Sequence, residues 1–286
     1  MNRPPSIMAP ALLAMGLTIG LIACVDNQTP PAELPPYEPG DAPVLDCVPD
    51  LDGRIDHTEL TPNLGVPVSY RVSPAGVDRP VNLRGQVDQF GTRVWDWSAT
   101  DGLDQRLEIA AEPLSDQWYA SSFPDGEFTT LLNPDLNWEA VYSHDTSGLH
   151  FHGYASADET PPSGTTLVVY DDPVTLYAFP MQEGDSWAST GVIRNATLRG
   201  LPYAGEDHYV STVDASGELW LPELTFSQVL RVNTEVTLDP ALSDPITHRQ
   251  VSFFFECFGE VARAVSAPSE EDPEFSTATE VRRLGF

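Results

Sequence analysis

From residue 64 to the C-terminus the chain alternates apolar and polar positions in short runs, and that alternation predicts strands. Runs rich in Val, Phe, Tyr, Trp and Thr fall at 66–73, 93–98, 105–111, 117–123, 127–132, 138–144 and 148–155. They continue at 165–170, 174–179, 186–199, 207–214, 217–221, 225–237, 247–257, 260–266 and 276–284. A period of two puts successive side chains on opposite faces of a strand, so each run has one face suited to a core. No long segment keeps a helical 3.6-residue period with plausible caps. Asp125-Gly126, Ser147-Gly148 and Ser216-Gly217 lie between runs, where glycine supplies the positive φ that hairpin turns need. Most of the 27 prolines also fall between runs. The expectation is an all-β fold: an antiparallel β-sandwich or partly open β-barrel. One β-rich domain over 47–286 is preferred, and a split would fall at Asp171-Asp172-Pro173. In the run 247–257, Val251, Phe253, Phe255 and Cys257 share one face and Ser252, Phe254 and Glu256 the other. The cysteine is therefore expected on the inner, Val/Phe face.

The N-terminus has a different pattern. Arg3 precedes an almost wholly apolar stretch from Ile7 to Ala23, which ends in Leu21-Ile22-Ala23-Cys24. Those four residues match the lipobox of bacterial lipoprotein signal peptides. The resemblance implies a signal peptide over 1–23, cleavage before Cys24 and acylation of Cys24 on its sulfur and its new amine. Several acyl chains on one residue give stable membrane anchoring. In the sorting rule of enteric bacteria, aspartate directly after the cysteine retains a lipoprotein in the inner membrane. Here that position is Val25, which favours the outer membrane.

Residues 25–46 hold six prolines and five acidic residues with no cation. Such a stretch cannot bury a core and predicts an extended tether reaching up to roughly 70 Å at about 3.1 Å per residue. Assigning Cys24 to lipid leaves Cys47 and Cys257 as a pair in an oxidising compartment, and a disulfide follows.

Directly after Cys47, the segment from Asp50 to Glu59 aligns with a calcium loop when Gly53 is its sixth residue. Asp50, Asp52, the Arg54 carbonyl, Asp56 and Glu59 then take positions 3, 5, 7, 9 and 12. Position 1 would be Val48, so one ligand is missing. The competing reading is an acidic turn into one helical turn at 56–60, with Asp56 as N-cap and Glu59 three residues on.

Charge and composition narrow the function. The formal charge is −29, and all 14 Lys+Arg residues are arginines. Without lysine there is no Walker A loop, pyridoxal Schiff base or Ser–Lys hydrolase. The acidity opposes nucleic-acid binding, which depends on cationic surfaces. Neither Gly-x-Ser-x-Gly nor His-Glu-x-x-His is present. His150 and His152 fall on one strand face as a His-x-His pair, near His144 and Asp145, and a metal would need a third ligand such as His208 or Asp158. Trp95 and Trp97 share a strand face and form either a stacking platform for a ligand or part of the core.

The segment Leu176-Tyr177-Ala178-Phe179-Pro180-Met181-Gln182-Glu183-Gly184-Asp185-Ser186-Trp187 resembles one common in uncharacterised bacterial secreted proteins and lipoproteins. Gly217-Glu218-Leu219-Trp220-Leu221-Pro222 and Gly259-Glu260-Val261 extend the likeness across roughly 170–286. It implies a β-rich secreted domain and carries no catalytic residues. The combined expectation is a lipid-anchored envelope protein acting without catalysis as a structural or interaction module, with an envelope protein or glycan as partner. A carbohydrate- or lipid-binding lipoprotein is one alternative, and a hydrolase or metal enzyme with a site assembled from distant residues is another. A concave aromatic surface would indicate binding, and acids converging on His150 and His152 would indicate an enzyme.

Overall fold

A computed structural model of the protein describes residues 47–285; the signal-peptide segment, Cys24 and the tether lie outside the described residues. The described chain begins with strand β1 (Arg54–Ile55) and one 3-10 turn at His57–Leu60. A capping box closes that turn, with Glu59 Oε2 accepting the Asp56 N–H at 2.8 Å. Short strands follow: β2 (Val68–Val72), β3 (Arg79–Pro80), β4 (Gln86–Val87), β5 (Arg93–Asp96), β6 (Gln105–Ile109) and β7 (Glu112–Pro113). The run at 117–123 is not a strand. It flanks and contains 3-10 turns at Leu114–Asp116 and Ala120–Ser122. Tyr119 and Phe123, four residues apart, are both buried and meet edge-on at 6.0 Å. Burial at that spacing winds the backbone instead of extending it.

The longer strands come next: β8 (Phe128–Asn133), β9 (Trp138–Asp145), β10 (Gly148–Ser156) and β11 (Leu167–Ala178), then short β12 (Met181–Gln182). After them run β13 (Ser186–Leu198), β14 (Leu201–Trp220), β15 (Thr225–Pro240), β16 (Ile246–Phe255) and β17 (Gly259–Val265). Short β18 (Thr277–Ala278) and β19 (Glu280–Leu284) end the chain. Fifteen strands form one open sheet, ordered β6-β2-β19-β17-β16-β15-β14-β13-β11-β10-β9-β8-β7 with β4 and β5 attached. The expected all-β, largely antiparallel, sandwich-like architecture is what the chain forms.

Two expected breaks are absent. Asp171-Asp172-Pro173 lies inside β11, where the pairing with β10 slips between Phe151↔Val174 and Gly153↔Val169. A bulge of this kind leaves backbone groups out of the ladder, so an exposed proline is tolerated and the strand continues. Ser216-Gly217 lies inside β14. Glycine is required at Gly126, Gly148 and Gly217 for a reason other than turn geometry: none of the three has a positive φ. A Cβ on Gly217 would sit 2.2 Å from the Arg93 carbonyl, because β5 pairs in parallel with this end of β14. Gly148 is similarly crowded by the Tyr177 carbonyl, at 2.5 Å.

Both faces of the sheet are covered near its middle. On β16, Val251, Phe253 and Phe255 face a core that includes Leu83, Trp95, Leu219 and Phe275, while Phe254 packs with Tyr177 on the opposite face. Cys257 belongs to neither face. The strand ends at Phe255, and Cys257 has φ +66° in the turn beyond it, so the alternation does not reach it. It is joined to Cys47, with Cα atoms 5.6 Å apart. The β8–β11 part of the sheet curls over toward β14–β17: the Tyr177 ring of β11 meets Phe254 of β16 at 4.5 Å, although β13, β14 and β15 stand between them in the sheet order.

Candidate functional site

The residues aligned as a calcium loop do not converge as that alignment requires. Asp52 Oδ1 accepts the Arg54 N–H at 2.8 Å, and Asp56 Oδ1 pairs with Arg54 Nε at 3.2 Å. Local turn bonds thus occupy two of the carboxylates. Asp50 and Glu59 instead meet Glu256, and one oxygen from each lies within 4.8 Å of the others. The sequence held a signal for this third member, since Glu256 adjoins the cysteine bound to Cys47. Glu256 is buried and accepts the Leu51 N–H at 2.7 Å. Burial, then the Glu256 and Asp50 charges, push the Glu59 carboxyl above its ordinary value, against the pull of the Asp56 N–H. Hard oxygens suit calcium, but three side chains supply fewer than the six to eight ligands it takes.

Among the described residues, the histidine pair gathers no third metal-ligating side chain. The pairing of β9 and β10 slips between Phe151 and Gly153, leaving His152 at the bulge. His152 Nε2 bonds Ser143 Oγ at 2.7 Å. His150 engages Thr175 through Nδ1 at 3.2 Å and Ser147 through Nε2 at 3.2 Å. His208, on β14, is bonded to Thr190 at 3.0 Å. Among the described residues, Asp50, Glu59 and Glu256 are the single grouping of three metal-ligating side chains, so neither His208 nor Asp158 completes a set at His150 and His152.

Trp95 and Trp97 do share a face, but its role is packing. Trp95 has no exposed surface, and both rings meet Phe253 edge-on at 5.0 and 5.1 Å. Their Nε1 groups donate to the carbonyls of Leu83 and Asn82. No broad indole face is open for stacking. The edge of Trp97 borders a hollow of about 450 Å³ whose charged residues pair with one another, Arg79 with Asp101 and Asp104, and Arg283 with Asp104.

A second hollow, about 390 Å³, lies between the curled halves of the sheet. Its walls come from β8–β11 on one side and β14–β17 on the other. Trp138, Tyr142, Phe151 and Tyr154 line it from β9 and β10, where Trp138 stacks on Tyr154 at 5.3 Å and Tyr142 meets Phe151 at 5.4 Å. Tyr170 of β11 lies across β13 and donates its hydroxyl hydrogen to Asp207 Oδ2 of β14 at 2.6 Å. It can lie there because β13 presents a glycine: a Cβ on Gly191 would meet the Tyr170 ring at 2.6 Å. Asp207 is 3% exposed, and its other oxygen, Oδ1, has no hydrogen-bond partner. Burial raises the Asp207 carboxyl above its ordinary value, opposed by the Tyr170 hydrogen bond. Burial also raises the hydroxyls of Tyr142, Tyr154 and Tyr209, so these groups stay protonated. Arg263 at the cavity wall is opposed by burial, but Glu260 outweighs it and holds the guanidinium charged.

None of these lining residues stood out in the sequence. One signal was present: Asp207 is in phase with Tyr209, Ser211 and Val213, a lone acid on the inward face of an alternating strand. Gly191→Ala is expected to displace the Tyr170 ring and lower stability by about 1–3 kcal/mol, the usual effect of overpacking. A denaturation midpoint unchanged from wild type would contradict that crowding. Comparison with protein-family models, curated proteins and solved structures finds no match to this chain.

Proposed function

We propose that this chain is a lipid-anchored protein of the cell envelope, held at the outer membrane through Cys24, whose folded domain binds a small ligand without transforming it. The observation that carries this reading is the aromatic hollow between the two halves of the sheet. A concave hollow lined by aromatic side chains with polar groups among them is a usual form of a small-ligand site. Its size suits a single ring system or a short amphiphile, in keeping with a lipid-like ligand. The protonated tyrosines offer ring faces and hydrogen-bond donors, which are instruments of binding. The Pro-rich tether would let the domain reach its ligand away from the bilayer surface.

Filling the cleft tests this. Leu238 lines it from β15, and Leu238→Trp is expected to occupy the space. Wild-type protein should show a saturable change in tryptophan fluorescence on titration with phenethyl alcohol, because Trp138 borders the site. The variant should lose that response while keeping its far-ultraviolet circular dichroism. An identical isotherm in the folded variant would place binding elsewhere.

A further inference from the structure

The aromatic cleft contains one polar atom that the protein leaves unanswered. Asp207 Oδ2 accepts from Tyr170, but Oδ1 is buried and has no donor. A buried acceptor without a partner is unfavourable, and more so when it is ionised. Several other polar groups around the cavity are engaged within the protein. Arg263 donates Nε and Nη2 to Glu260 at 3.0 and 2.8 Å. Thr234 Oγ1 shares a hydrogen bond with Ser211 at 2.9 Å, and Gln250 Nε2 donates to Ser252 at 3.0 Å. Burial disfavours the charged form of His248. With Arg263 balanced by Glu260, the unmatched charge in the cleft is that of Asp207, set among electron-rich rings.

We infer that the cleft selects an organic cation: an apolar or aromatic body bearing a protonated amine, whose N–H donates to Asp207 Oδ1 while its charge lies among the tyrosine and tryptophan rings. This rests on the reading of the cleft as a binding site. Ammonium groups are attracted to aromatic faces, most strongly where water is excluded. A charge-assisted hydrogen bond to the free carboxylate oxygen adds to that attraction. Competing ligand chemistries fit less well. A sugar carries hydroxyls on all sides, whereas Arg263, Thr234 and Gln250 already bond within the protein. An anionic ligand would meet Asp207 as a like charge and find Arg263 engaged. A quaternary ammonium has no N–H to give. The amine could belong to a lipid headgroup or to a free small molecule, and the chemistry recognised is the same.

The test uses the full-length lipidated chain in phosphatidylcholine nanodiscs, titrated calorimetrically near neutral pH with phenethylammonium, phenethyl alcohol and hydrocinnamate. These share a phenyl ring and differ in the charge of the polar end. Phenethylammonium is expected to bind about tenfold or more tightly than the alcohol, with hydrocinnamate weakest. Asp207→Asn should bring the amine down to the affinity of the alcohol and leave the alcohol little changed. The comparison of probes on wild-type protein stands even if that variant fails to fold. Adding phosphatidylethanolamine to the nanodiscs separates the sources: competition identifies a headgroup amine, and its absence a free one. Equal binding of amine and alcohol to wild type would overturn the cation selectivity and leave the cleft as a neutral-ligand site. Failure of every probe to bind would overturn both.

Discussion

Replacing Arg231 with alanine is expected to lower the unfolding free energy by about 3–5 kcal/mol, the range for breaking a buried ion pair from one side. Arg231 is 5% exposed and bonds two carboxylates at once. Its Nε and Nη2 reach Asp214 at 2.8 and 3.0 Å, and Nη2 and Nη1 reach Glu274 at 2.8 and 3.1 Å. Nη1 also donates to the Leu83 carbonyl, and the guanidinium lies 5.7 Å from the Trp95 ring centroid. Burial opposes this charge, but the two acids outweigh it and raise the guanidinium's pKa. Alanine would leave Asp214 and Glu274 without their cation and open space beside Trp95. The acids are partly solvated, which moderates the loss. The triple variant Arg231→Met, Asp214→Asn, Glu274→Gln should recover most of the stability, since it removes the charges together. Urea denaturation followed by tryptophan fluorescence gives both numbers. A loss below about 1 kcal/mol for Arg231→Ala would show that the pair contributes no more than a surface salt bridge.

Opening the Cys47–Cys257 disulfide should have an effect of similar size. The two residues are 210 positions apart, so the bond closes a loop spanning most of the folded chain. Chain entropy puts its contribution at about 5 kcal/mol, an upper value because the unfolded chain retains some structure. The bond also holds a local strap. Cys257 donates its N–H to the Glu59 carbonyl, Glu256 accepts from Leu51, and Ile55 pairs with Met181. Cys257→Ser, made with Cys47→Ser to avoid a free thiol, should lower the denaturation midpoint. It should also speed hydrogen exchange at residues 51–60 before the rest of the sheet. Unchanged exchange there, with an unchanged midpoint, would mean that noncovalent contacts alone secure the strap.

Much of the fold was legible because strand patterning is local. The hairpin of β9 and β10 falls within a residue or two of its predicted ends, since Trp138–Asp145 and Gly148–Ser156 are two β-rich runs about a polar turn. The reading failed where a distant partner changed the meaning of a local signal. Gly217 looked like a turn residue, yet it is needed because β5 runs alongside and leaves no room for a Cβ. Trp95 and Trp97 fit either a platform or the core from their own strand, and Phe253, more than 150 residues on, decides for the core. The segment from Asp50 to Glu59 fits both a calcium loop and a capped acidic turn; the capped turn forms, and the third companion of Asp50 and Glu59, Glu256, arrives through the disulfide.

By itself, then, the sequence determined the all-β class, most strand positions, the acidic character and the pairing of Cys47 with Cys257. Each depends on periodicity, composition or elimination among three cysteines. The cleft was decided by tertiary structure alone. Asp207, Tyr170 and Gly191 come together because the register sets Gly191 of β13 opposite Asp207 of β14 and lets Tyr170 of β11 lie across that glycine, and register is fixed between strands, not by any single strand's alternation.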